Sequence, residues 1–118
     1  MKYLLLIYKN EAEMSGDTRK TCVEESAGLM RELDEKGQLL SASPLRPTPT
    51  ATSVRVRNGK PVVTDGPFAE TREQLGGYYL VDVPDLDEAI AIAARIPVSR
   101  SGTVEIRPLD EIPELALR

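Results

Sequence analysis

Histidine is absent from this chain, cysteine occurs once and phenylalanine once. Without histidine the commonest general base and the commonest transition-metal ligand are missing. Serine–histidine and cysteine–histidine nucleophile systems are therefore excluded. One cysteine, Cys22, and no histidine leave too few soft ligands for an all-protein zinc site. A lone cysteine also rules out an internal disulfide and fits a reducing, cytoplasmic setting. Long apolar runs are lacking as well. The longest, in Met1–Tyr8, falls far short of the roughly 20 residues of a membrane span. It also ends at Lys9-Asn10-Glu11 without the small-residue site of a secretion signal. Basic residues number 15 against 19 acidic ones, a net charge of −4, which argues against nucleic-acid binding.

The 118 residues suit one domain with one modest core, and the alternation of apolar and polar positions divides it. Lys2–Tyr8 is an unbroken apolar strand, as expected where both faces are covered. Lys9–Asp17 is a loop, and residues 18–36 a helix whose stripe is Val23, Ala27, Met30 and Leu33, ended by Gly37. Cys22 falls beside that stripe and reads as a buried, inert thiol. Gln38–Leu45 is a second strand, followed by a connector with Pro44, Pro47 and Pro49. Ser53–Thr64 is a hairpin turning on Asn58-Gly59. Its register puts Val54, Val56, Pro61 and Val63 on a face that should pack down, and Arg55, Arg57 and Lys60 on a solvated face. Gln74–Val83 is a strand. Asp85 caps a second helix with the stripe Leu86, Ala89, Ile90, Ala93 and Ile96, stopped by Pro97. Gly102–Arg107 is the last strand, and Asp110–Arg118 a short tail with a helical turn.

This order predicts an α+β fold: a ferredoxin-like antiparallel sheet with two helices on one face and an inserted β-hairpin. Two helices cover only one face. The other is expected to be covered by a second copy, sheet on sheet, in a homodimer.

Residues 64–83 concentrate the candidate chemistry. Asp65-Gly66-Pro67 is a turn in which the aspartate side chain is placed to bond backbone two residues on. Asp65 is thus either a general acid/base or a turn residue. Phe68, Glu70, Arg72 and Glu73 follow as pocket lining or as a solvated charged loop. Arg72 is the strongest binding candidate of these, because a guanidinium clamps a carboxylate or phosphate bidentately. Gly76 and Gly77 mark either close approach of a ligand or a β-bulge. Tyr78 and Tyr79 must point to opposite faces, one of them inward.

The run Thr64-Asp65-Gly66-Pro67-Phe68-Ala69-Glu70-Thr71-Arg72-Glu73-Gln74-Leu75-Gly76-Gly77-Tyr78-Tyr79-Leu80 resembles the signature of DGPF-domain proteins in the YCII-related superfamily. Met1–Tyr8, the hairpin Val54–Lys60, the helix start at Val83–Ala89 and the close Gly102–Pro108 resemble the same family. The residues themselves place an expected pocket between sheet and helices, near Asp65, Phe68, Arg72 and Gly76-Gly77, for a small polar or aromatic molecule, with acid/base chemistry that needs no cofactor or metal. The resemblance runs over residues 1–108 and implies a dimeric α/β-barrel protein of the bacterial cytoplasm. It also implies a link to extracytoplasmic-function sigma factors, and hence an alternative role as a regulatory interaction module with a sigma factor as partner. In the wider superfamily a histidine–aspartate pair is the suspected catalytic device. Asp65 matches the acid, and this chain has no histidine to complete the pair.

Overall fold

The computed structural model describes residues 1–13 and 16–113. Residues 14–15 of the expected first loop and 114–118 of the expected tail lie outside them. The elements are β1 (Lys2–Lys9), α1 (Gly16–Glu35), β2 (Leu39–Pro44), β3 (Thr52–Arg57), β4 (Lys60–Asp65), β5 (Gln74–Asp82), α2 (Leu86–Arg95) and β6 (Thr103–Pro108). Four strands form an antiparallel sheet in the order β2-β5-β1-β6, and β3-β4 form a separate two-stranded sheet. This is the ferredoxin-like arrangement with both helices on one face.

β1 is apolar throughout because it is an interior strand, paired to β5 on one side and β6 on the other. Tyr3, Leu5 and Ile7 are buried on the helix side with Tyr79, Val81 and Val83. α1 contributes Leu29 and Leu33 to this core, and α2 contributes Ala89, Ile92 and Ala93, with Ile96 and Val98 following. The small alanines let α2 lie close to the sheet. Sequence signals at the helix ends hold. The Asp85 carboxylate accepts from the Glu88 amide at 3.0 Å. Gly37, at φ 71°, ends α1 while the Gln38 amide donates to the Leu33 carbonyl at 2.9 Å.

Three expectations need correction. Val23 is more than half exposed and Cys22 only partly covered, because just the C-terminal half of α1 reaches the core. In α2 the buried stripe is Ala89, Ile92, Ala93 and Ile96. Leu86 and Ile90 fall outside it and face solvent. The largest departure is the hairpin. Its apolar face does not pack down: Val54, Val56 and Val63 are 61%, 63% and 62% exposed. β3 and β4 stand away from the sheet as an arm. The Cα radius of gyration, 16.1 Å, exceeds the roughly 13.5 Å of a compact chain of this length.

The other face of the four-stranded sheet carries Leu4, Leu6 and Tyr8 of β1 beside Tyr78 and Leu80 of β5, all half-buried and, among the described residues, without a covering helix. Among the described residues, no helix is long and apolar enough to cross a membrane.

Candidate functional site

The turn after β4 sets the site. Gly66 sits at φ 97°, a value that excludes most side chains. Its amide donates to the Ala51 carbonyl at 2.7 Å, and its carbonyl accepts from Ser53 Oγ at 2.7 Å. Those two bonds tie the turn to the root of β3. The side-chain bond expected of Asp65 is not among them, so the turn is closed by Ser53 instead. With the root fixed, Pro67 and Phe68 stand beside one face of the arm.

Between them lies a groove of about 340 Å³, lined by Ser53, Arg55, Arg57, Val62, Thr64, Pro67 and Phe68. The lining alternates along each strand, as the pleat requires: Ser53, Arg55 and Arg57 from β3 and Val62 and Thr64 from β4. Ser53 faces Thr64 and Arg55 faces Val62 across the ladder. Phe68 closes one side with its ring 79% exposed. An aromatic face, two hydroxyls and two guanidiniums in one groove can stack a flat ring and hold an anionic group on it.

The residues singled out in the sequence distribute unevenly around this groove. Phe68 lines it. Asp65 pairs with Thr52 on the opposite face of the arm, the face of Val54 and Val63, and is exposed. Glu70 and Arg72 are exposed on the loop leading to β5, which Gln74 braces by donating to the carbonyls of Ala69 and Thr71, both at 3.0 Å. Glu73 accepts from Thr103 Oγ1 at 2.9 Å and so joins that loop to β6. Gly76 sits at the β-bulge in β5, where the register with β1 shifts between Ile7 and Tyr8. The Lys9 side chain lies over it, and a Cβ there would fall 2.5 Å from Lys9 Cε. Gly77 is crowded by the Ser43 carbonyl and Pro44. Both glycines are explained by neighbouring chain.

Tyr78 and Tyr79 do take opposite faces. Tyr79 is buried under α1, where its hydroxyl donates to the Ser26 carbonyl at 3.5 Å. Burial pushes this phenol above its usual range. Tyr78 lies on the open sheet face with its hydroxyl 3.0 Å from Ser41 Oγ. Among the described residues, no group of three or more acidic or cysteine side chains converges as a metal site.

Of the groove residues, Ser53, Val62, Thr64 and Pro67 are not singled out as site residues by the sequence, and Arg55 and Arg57 read there as a solvated basic face. Their signal was the hairpin alternation itself, which separated a basic face from an apolar one. The nearness of Phe68 to that face depends on the Gly66 turn and could not be read from spacing.

Compared with known proteins, residues 1–113 match the model of the YCII-related domain. An uncharacterised protein of Rhizobium meliloti is 38% identical, the match covering 92% of each chain. Among solved structures, the 5-chloro-2-hydroxyhydroquinone dehydrochlorinase of Burkholderia phenoliruptrix, in complex with 2,5-dihydroxybenzoquinone, superposes with a TM-score of 0.53. That superposition covers 97% of this chain and 98% of the other at 9% identity, a likeness of fold.

Proposed function

The chain belongs to the YCII-related domain family, and on that premise we propose that it binds a small aromatic anion in the groove between the arm and Phe68. The observation that carries this reading is the Phe68 ring, 79% exposed beside Arg55 and Arg57. A large aromatic at the edge of a concave, basic surface offers a flat face on which a ligand ring can stack beside the guanidiniums. The groove volume, about 340 Å³, lies at the small end of the roughly 300–1,000 Å³ range of small-molecule sites. The dehydrochlorinase of the same fold holds a dihydroxybenzoquinone, which supports a flat, oxygen-rich ring as the ligand class.

The protein acts in this reading as a homodimer, since the half-buried apolar side chains of the open sheet face call for a covering layer. Binding is better supported than acid/base catalysis by Asp65, whose position alternates away from Val62 and Thr64 along β4. Native mass spectrometry of the purified protein tests both parts. A dimer that takes up 2,5-dihydroxybenzoquinone or benzoate one per subunit is the expected result. A monomer, or a dimer that takes up neither, contradicts it.

A further inference from the structure

The arm has no core of its own. Val54, Val56, Pro61 and Val63 form one continuous apolar stretch, Val54 opposite Val63 and Val56 opposite Pro61, ended at the root of the arm by the pair Thr52 and Asp65, and every one of them is exposed. An isolated two-stranded hairpin is marginal in water, and natural proteins rarely hold a valine-rich face open to solvent. The opposite face is accounted for by Ser53, Arg55, Arg57, Val62 and Thr64 of the groove. What remains unexplained is the valine face alone.

Charge selects what covers it. Residues 52–65 hold three of the 15 basic residues, Arg55, Arg57 and Lys60, and one of the 19 acidic ones, Asp65. The arm therefore carries +2 and the rest of the chain −6. A cationic arm on an anionic body is complementary to a second copy of the same chain, and in a two-fold pair each arm meets the other body. The second copy also brings what an arm with a valine face needs, an uncovered apolar surface: Leu4, Leu6, Tyr8, Tyr78 and Leu80 of its open sheet face.

We propose that the β3-β4 arm is the clasp of the homodimer, its valine face buried by the second copy and its basic face left outward to form the ligand groove. The inference rests on the two-copy reading above and adds the element that makes the contact. On this account the dimer fixes the groove, because burying the valine face immobilises β3 and β4 while leaving Arg55, Arg57 and Phe68 accessible.

Sedimentation velocity on the full-length protein and three variants tests it. The arm variant V54K/V63K is expected to raise the dimer dissociation constant at least about 100-fold. A variant with residues 53–64 replaced by a short Gly-Ser linker is expected to be a folded monomer by circular dichroism, since the arm gives nothing to the core. I90K removes another exposed apolar side chain, from the outer face of α2, and is expected to remain dimeric. A wild-type dimer that survives both arm variants overturns the clasp and leaves the two-copy reading intact. A monomeric wild type overturns both.

Discussion

Glu11 and Thr48, far apart in the chain, are joined by hydrogen bonds to a single carboxylate. Thr48 Oγ1 donates to Glu11 Oε1 at 2.7 Å, and the Thr48 amide donates to Glu11 Oε2 at 3.1 Å. Thr48 opens the short 3-10 turn Thr48–Thr50, which leads directly into β3. The carboxylate satisfies an amide that the turn leaves free and thereby anchors the root of the arm to the loop after β1.

E11A should therefore cost about 1–2 kcal/mol, the usual penalty for losing charge-assisted bonds at a partly buried amide and hydroxyl. At about 4 °C per kcal/mol for a chain of this size, the melting temperature should fall by several degrees. Hydrogen exchange should quicken first at the root of β3. An unchanged exchange pattern would mean that the arm is held by Gly66 and Ser53 alone.

Glu32 on α1 meets Arg95 of α2, with Arg95 Nη2 2.8 Å from Glu32 Oε1, and Lys36 one turn along adds a second cation. The Arg95 hydrogen bond is the main reason its carboxyl is held at about 2. A carboxyl lowered in the folded state adds stability above its unfolded value of about 4.5, and that contribution disappears as pH falls toward 2. Between those pH values, E32Q should show a flatter fall of melting temperature than the wild type. The difference should shrink in high salt because the pair is exposed. Identical pH profiles would remove the pair from the stability account.

Two glycines should respond differently to alanine. At Gly102 an added Cβ meets the Tyr8 carbonyl and Lys9 Cα, both backbone, and the Val98 side chain at 2.9 Å. At Gly76 it meets only the flexible Lys9 side chain. G102A is expected to lose about 1–3 kcal/mol, the usual cost of overpacking, and G76A less than half of that. Denaturant titration of both gives the ratio, and equal losses would contradict the close approach of β1 to the β6 entry.

In the groove, F68A should leave the melting temperature within a degree or two, since the ring is mostly in water. It should weaken binding of 2,5-dihydroxybenzoquinone about 3–10-fold, the worth of an aromatic stack. R55Q/R57Q should weaken it more, and more strongly at low salt, if the ligand is held as an anion. Isothermal titration of the variants checks both. Equal affinity in all three proteins would place the ligand elsewhere.

The order of elements was legible because each carries its own local signal. Lys2–Tyr8 is apolar on both faces since it lies inside the sheet, Asn58-Gly59 turns the hairpin with Asn58 at φ 54° and Gly59 at φ 74°, and Asp85 caps α2. Periodicity alone misplaced the buried stripes. Val23 has the right spacing for the core but lies before the part of α1 that reaches the sheet, and Ile92 rather than Ile90 turns inward. The site was half legible. Phe68 and the basic hairpin face were both visible in the sequence. Their meeting depends on bonds from Ser53 to Gly66 and from Gly66 to Ala51, which have no signature in spacing. The exposure of the valine face was not legible either, because an apolar strand face reads the same whether its own chain or a second copy covers it.

The most direct measurement of the central claim is the set of amide chemical-shift changes in the 15N-labelled protein as 2,5-dihydroxybenzoquinone is added. Binding in the groove predicts saturable shifts confined to residues 53–57, 62–64, 66 and 68, with the sheet interior unmoved. Shifts centred on another surface, or none, would contradict it.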